Sequence, residues 1–271
     1  MGFIQENKIV IDLGTDKEYV LLQFNDVHAV SYDEKNDEKA RDKAITQESL
    51  WMKQRVDFAK KFQEKYDSEH LLSSKDCLNR LIEYANEIKP DLVLMVGDLV
   101  DYYSNANHDF LKESINKLNI PYLFACGNHE SPPEKFQDIC QGDCDINYVD
   151  FCEFIVVAIN NSPRRIKQSQ LDALNNLLEY RKPMILVMHI PIMTEYNQDI
   201  FTKLDTYYSM KYDEDDGVTN RFIDLVSATQ EIKAILCGHI HGSILTMIAP
   251  DKPQYCCSSG LIGRVNKIII R

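Results

Sequence analysis

Positive charge is in short supply in this chain. It carries 30 Lys plus Arg against 42 Asp plus Glu, a net charge of -12 and a pI near 5.0. That balance argues against non-specific binding to nucleic acid or to anionic membrane surfaces, where affinity comes from neutralising phosphates, although it leaves room for a local basic patch. Long apolar runs are missing as well, and none is of a length to span a bilayer. The opening residues, Met1-Gly2-Phe3-Ile4-Gln5-Glu6, lack the basic start and apolar segment of a secretory leader. Glu6 also stands where a myristoylation signal needs Ser or Thr. The expectation is a soluble, cytoplasmic protein with no membrane partner. Tryptophan occurs once, as Trp51, and is read as a packing residue rather than a platform for substrate.

Cysteine is not scarce: there are 8. With no secretion signal they are expected to be reduced thiols. Cys140, Cys144 and Cys152 form a loose cluster whose spacing fits no common zinc pattern. Cys126 and Cys237 end apolar runs, where small buried residues belong.

Hydrophobic residues make up 44% of the 271, enough for a sizeable core. Residues 8 to 12 and 18 to 25 are apolar around Gly14-Thr15-Asp16 and read as a hairpin. Residues 31 to 45 are dense in charge of both signs and read as a solvated loop. A helical pattern follows over 46 to 66, with Leu50, Val56, Phe58, Ala59 and Phe62 as its stripe. A second helix, capped by Ser74, carries Leu78, Leu81, Ile82, Ala85 and Ile88 and stops at Pro90. Buried strands are predicted over 92–96, 122–125, 154–159, 184–188 and 232–236, with the last strands over 254–258 and 265–270. Helices are predicted over 109–118, after Ser169, and over 218–229. Strands alternating with helices give an α/β class.

Functional residues gather at the ends of those strands. Cys237-Gly238-His239-Ile240-His241-Gly242 puts two imidazoles two residues apart, on one side of an extended backbone. Upstream lie Asp26-Val27-His28, Gly97-Asp98, Gly127-Asn128-His129-Glu130 and His189, each after an apolar run. Five of the 7 histidines fall in these blocks. The inventory is carboxylate, carboxamide and imidazole without thiolate, which suits manganese, iron, zinc or magnesium and disfavours soft copper sites. The blocks D-x-H, G-D, G-N-H-E, H and G-H-x-H, in this order, resemble the calcineurin-like metallophosphoesterase superfamily.

The resemblance implies a single domain of two mixed β-sheets packed face to face with helices outside, and two metal ions. Asp26, His28 and His241 resemble the ligands of one ion, Asn128, His189 and His239 those of the other, and Asp98 the bridge between them. A hydroxide shared by the ions would attack phosphorus. Asn128 and His129 resemble the residues that contact the phosphate, and His129 the general acid that protonates the leaving oxygen. Glu130 or Asp101 is available to orient His129.

The implied activity is hydrolysis of a phosphate mono- or diester of a small molecule. A nuclease of the same superfamily is the alternative enzyme, disfavoured by Asp213-Glu214-Asp215-Asp216 and by the lack of a basic stripe. A non-catalytic scaffold on this fold is the alternative outside enzymes, disfavoured because the ligands and His129 are all present. The block Asp98-Leu99-Val100-Asp101-Tyr102 lacks the Arg-Gly that marks protein Ser/Thr phosphatases. The charged, helical stretch at about 31–75 reads as an insertion able to cap the site. His70 and His108 are expected to be solvated, as is the basic pair Arg164 and Arg165. Asn160 suits either a supporting or a turn role, and Tyr102, Tyr103, Tyr207, Tyr208 and Tyr212 are candidates for the pocket rim.

Overall fold

The computed structural model describes residues 2–32, 38–204 and 208–271, so Tyr207 lies outside the described residues. Among the described residues, eleven strands form two sheets. The first holds β1 (Gln5–Ile11), β2 (Tyr19–Phe24), β3 (Leu92–Val96), β4 (Tyr122–Ala125) and β11 (Arg264–Ile270), in the order β1-β11-β2-β3-β4. The second holds β5 (Ile146–Asp150), β6 (Ile155–Ile159), β7 (Met184–Val187), β8 (Ile232–Cys237), β9 (Ile244–Ala249) and β10 (Lys252–Cys256), in the order β5-β6-β7-β8-β10-β9. Both are mixed, with β2, β3 and β4 parallel in one and β6, β7 and β8 parallel in the other.

Side chains alternate across a strand, and the alternation builds the layers. Leu92, Leu94 and Val96 of β3 meet Ile185 and Val187 of β7 and Ala234 and Leu236 of β8 between the sheets. The intervening Val93 and Met95 face outward, against Leu78, Leu81, Ile82 and Ala85 of α2 (Ser74–Ile88). On the far side, Leu186 and Ile235 pack on α5 (Gln168–Leu178) and α7 (Gly217–Ala228) through Leu171, Leu174, Phe222, Ile223 and Val226. The result is the expected pair of mixed sheets between helical layers. Strands covered on both faces carry no polar alternation, which is why they read as continuous apolar runs. Among the described residues, no helix is long and apolar enough to cross a membrane.

Several local readings are corrected. β1 and β2 are not a hairpin: β11 lies between them, parallel to β1 and antiparallel to β2. The turn signal at Gly14 is real, but Ile268, Ile269 and Ile270 need neighbours on both edges, whereas β1 is half exposed and suits the sheet margin. Residues 38–45 are helical, because α1 runs Glu38–Lys61; mixed Glu, Lys, Arg and Ala is good helix composition. Its buried face is Ala44, Trp51, Arg55 and Ala59; of the expected stripe Ala59 is buried and Phe58 packs against the core, but Leu50 is 43% exposed. Arg55 is buried because its guanidinium donates to the carbonyls of Leu72 and Leu261. Ser73, not Ser74, caps α2 by accepting from Asp76 N–H. Ser169 lies within the first turn of α5, where the Gln170 side chain accepts from Lys167 N–H instead. The edge strands β5 and β9 and the short helices α4 (Gln137–Cys140) and α6 (Gln198–Leu204) gave no strong period, since edges bury one face at most. The remaining helix, α3 (Asn105–Ile115), starts from an N-cap at Ser104, earlier than the apolar pattern indicates.

Candidate metal centre

The parallel strands β2, β3 and β4 of one sheet and β7 and β8 of the other deliver their following residues to one place. Carboxyl ends of strands are where open α/β sheets collect their ligands. Asp26, His28, Asp98, His239 and His241 all have left-handed backbone, with φ of 52, 46, 53, 71 and 53°. Such φ values cost non-glycine residues about 1–3 kcal/mol each and persist where the surroundings over-determine them. Here the residue between each pair is the anchor. Val27 is buried in the helical layer of the first sheet and Ile240 in that of the second. The predicted extended backbone at His239 and His241 is therefore not observed.

Gly97 and Gly127 let two of these loops cross. A Cβ on Gly97 would sit 2.6 Å from Cα of Gly127 and from Nδ1 of His189, and its φ is 76°. The buried Glu130 carboxylate joins the crossing loops: Oε2 accepts from the N–H of Asp98 (2.7 Å) and Gly127 (2.8 Å), and Oε1 from Leu99 (2.8 Å) and Val100 (3.2 Å).

Two adjacent groups of donors result. In the first, His241 Nε2 is 3.4 Å and His28 Nε2 4.0 Å from Asp26 Oδ1, and the two imidazole nitrogens are 3.1 Å apart. In the second, His189 Nε2 is 3.0 Å from Asp98 Oδ2 and 3.2 Å from His239 Nδ1. His239 and His241 thus part company, one to each group. Both carboxylates reach across: Asp98 Oδ2 is 3.9 Å from His28 Nε2, and Asp26 Oδ1 is 3.9 Å from His189 Nε2. Asp26 Oδ1 and Asn128 Oδ1 are buried without a hydrogen-bond partner. Buried acceptors left unsatisfied are costly, and imidazole nitrogens facing one another beside two buried carboxylates make a set that a cation satisfies.

Protonation agrees with that use. Burial lowers His28 to about 4 and His239 to about 3, and drives His241 well below its ordinary value, so these rings are neutral with a lone pair to give. Burial, reinforced by the Asp98 charge, raises Asp26 to about 7. Burial also opposes charge on His189, but the Asp98 charge and hydrogen bond override it and raise the ring to about 9. Its Nδ1–H donates to Val96 carbonyl oxygen at 2.7 Å, which turns Nε2 toward the carboxylates.

His129 stands at the open side, with its side chain 29% exposed. Nδ1 is 2.6 Å from the Asp101 carbonyl oxygen and 3.1 Å from Asp101 Oδ1, and among the described residues Nε2 makes no hydrogen bond. Asp101 is thus the group that orients His129, and Glu130 is not. Burial disfavours charge on both, yet the hydrogen bonds between them raise His129 to about 10 and hold Asp101 well below the usual carboxylate range. His129 also anchors Asp98 through its backbone N–H, which donates to Oδ1 at 2.9 Å.

Trp51 is buried, as a packing residue should be, but what it packs on is the site. Its ring stacks on His28 at 3.5 Å between centroids and lies 5.3 Å from His241, while Nε1–H donates to Asp101 Oδ1 at 2.7 Å. Phe58, one more position of α1, stacks on His241 at 4.6 Å. Gln23 and Asn25 escaped the sequence reading altogether. Asn266 Nδ2 donates to Gln23 Oε1, Gln23 Nε2 to Asn25 Oδ1 and Cys237 carbonyl, and Asn25 Nδ2 to Asp26 Oδ2. Their only sequence signal is that they are polar residues in and after an apolar strand.

The remaining candidates separate. Asn160 takes the turn role, accepting from Ser162 N–H, while the supporting role falls to Asn161, whose side chain pairs with both the carbonyl and the N–H of Ile190 beside His189. Arg165 is 64% exposed and pairs with Asp213 and Asp216. Arg164 is half-buried, and its charge acts on His239. Tyr208 is 5.7 Å from His239; Tyr212 is tied to Asp224 and Tyr103 to Asn105, and Tyr102 lies under Lys43. His70 is exposed as expected, but His108 is not solvated: its side chain is 16% exposed and pairs with Asp138 at 2.9 Å. Cys152 is exposed and apart, and Cys126 takes its place beside Cys140 and Cys144.

Comparison with known proteins bears on the family and the fold. A family model described as calcineurin-like phosphoesterase matches residues 19–243. A probable cyclic nucleotide phosphodiesterase of Synechococcus is 27% identical over 164 residues, which cover 58% of this chain and 60% of that protein. A probable glycerophosphodiester phosphodiesterase of Arcobacter nitrofigilis is 22% identical over 167 residues, covering 56% of this chain and 57% of the relative. Each match therefore spans less than two thirds of the relative. A dimetal phosphatase from Danio rerio shares the fold, with a TM-score of 0.58, 9% identity and coverage of 90% of this chain and 88% of that one.

Proposed function

The chain belongs to the calcineurin-like phosphoesterase family, and from that premise we propose that it is a dimetal hydrolase of small phosphate esters, phosphodiesters foremost. The observation that carries this reading is the convergence of Asp26, His28, Asp98, His189, His239 and His241 from four strand ends, with Asp26 Oδ1 and Asn128 Oδ1 left without hydrogen bonds. The phosphodiester preference draws support from the names of the two relatives.

Asp26, His28 and His241 would hold one ion and Asn128, His189 and His239 the other, with Asp98 between them. Manganese, iron and zinc all suit these oxygen and nitrogen donors. Bound ions would supply Lewis acidity and a nucleophile at neutral pH. The protein's own contributions are positional. His129 presents Nε2 to the open side, where it can give a proton to the leaving oxygen. Asp101 fixes the ring that does so. Trp51 and Phe58 make α1 a cap over the first group of ligands and keep water from its apolar side.

Elemental analysis of metal-loaded protein should give two ions per chain, with Mn-dependent hydrolysis of bis-nitrophenyl phosphate and little degradation of long DNA. Rapid DNA cleavage without small-ester activity would favour the nuclease, and bound ions without any turnover would favour a scaffold. Trp51→Phe tests the cap. It keeps the stack on His28 but removes the N–H to Asp101, a bond worth about 1 kcal/mol. Turnover should fall roughly five-fold with metal content and melting temperature near those of the parent. A loss of metal instead would mean that the indole supports the ligands rather than His129.

A further inference from the structure

Behind the loop that carries Asn128 and His129 lies a second group of ligand-type side chains. Cys126 directly follows β4, Cys140 is the last residue of α4, and Cys144 follows one turn later. Gln141 has a left-handed backbone, φ 52°, which ends α4 and folds the chain back. Cys144 thereby returns to Cys140, Sγ to Sγ 2.8 Å, while Cys126 Sγ is 3.9 Å from Cys140 Sγ. All three are buried, at 0, 2 and 8% exposure. Asn147 fixes the turn by donating to the Cys140 carbonyl.

Three thiols from two segments meeting in one spot is more than core packing asks for. A thiol is a weak donor, and these hydrogen-bond mainly to one another. Sulfurs that share one tetrahedral or trigonal ion at 2.3 Å stand about 3.8–4.0 Å apart. The separation of Cys126 and Cys140 is already that, and Cys144, at the end of a surface turn, would move outward by about 1 Å to match.

We propose that Cys126, Cys140 and Cys144 form a separate thiolate site for a single thiophilic cation of the zinc, cadmium or copper(I) class. On binding, three metal–sulfur bonds form and the three S–H protons pass to solvent. The donor set is all sulfur, whereas the first centre is all oxygen and nitrogen, so the thiolate site favours softer ions, with zinc the one ion that suits both. Its ligands are buried and lie on three elements, so the role of the site is structural: it clips β4, α4 and the turn leading to β5 together and steadies the loop of Asn128 and His129 from behind.

Cobalt(II) separates the two centres, because only thiolate ligation gives an intense sulfur-to-cobalt charge-transfer band. Fully reduced whole chain, titrated with cobalt(II), should develop that band to saturation at one ion per chain. Cys144→Ser should weaken this binding by more than about ten-fold. Cys152→Ser, an exposed control, should leave it unchanged. If Cys126→Ser fails to fold, Cys144→Ser still decides the matter, since its melting temperature without metal can be compared with the parent. Absence of the band in the reduced protein, or an undiminished band in Cys140→Ser, overturns the proposal. So does a loss of two free thiols on exposure to glutathione disulfide in protein that shows no cobalt band, which would make Cys140 and Cys144 a redox pair instead.

Discussion

Replacing His129 by alanine should slow hydrolysis of an alkyl phosphate ester by about 10²–10⁴-fold, or roughly 3–5 kcal/mol of barrier, and slow a nitrophenyl ester clearly less. An alkoxide needs a proton as its bond to phosphorus breaks, while nitrophenolate is stable without one. The structure makes this substitution a clean test. Asp98 is held by the backbone N–H of His129, and alanine keeps that group, so both ions should remain. The side chain's own partner, Asp101, keeps the indole N–H of Trp51. The measurement is turnover on two esters that differ only in leaving-group basicity, with metal content determined for each protein. Equal losses on the two would assign His129 to holding phosphate rather than giving a proton.

Glu130 should matter as much, and for stability rather than chemistry. Its carboxylate satisfies four backbone amides that join the loops after β3 and β4. Glu130→Ala leaves those amides buried without acceptors, at about 1–3 kcal/mol for each that solvent does not reach. A loss of roughly 4 kcal/mol is expected, together with weaker metal retention at Asp98 and Asn128. Glu130→Gln is the sharper test. A carboxamide has one oxygen, so in either orientation two N–H groups face an NH₂, and a loss of about 2 kcal/mol or more follows. Urea unfolding with an unchanged slope would report it. A glutamine variant as stable as the parent would mean that the carboxylate is dispensable to the loop crossing.

The candidate ligands were legible because each lies next to a buried strand in a short local pattern. Asp26 to His28 and Gly238 to His241 can be read from a few residues apiece. What holds them could not be read that way. Trp51 reaches His28 from a helix whose buried face includes Arg55, so an apolar stripe pointed to Leu50 instead. Glu130 stood beside Asp101 as a candidate to orient His129, since adjacency is what a sequence offers; its partners are instead the amide of Gly127 and three amides of another loop. Cys152 looked closer to Cys144 than Cys126 did for the same reason. The outer strands β5 and β9 were missed because half-exposed edges carry weak periodicity, whereas β3, β7 and β8, covered on both faces, announced themselves as apolar runs.

The position of β11 has a temporal consequence. A chain emerges from the ribosome in order, yet the first sheet holds its last strand between its first two. Among the described residues β1 pairs with β11 alone, in a ladder that runs from Gln5 with Arg264 to Ile11 with Ile270. Until residue 270 is out, β1 has nothing to pair with and the edge of β2 from Tyr19 to Gln23 stays bare. Native assembly of this sheet therefore waits for β11, and is dominated by contacts distant in sequence and slow for that reason. During synthesis the bare apolar edge is the segment most open to mispairing with another nascent chain.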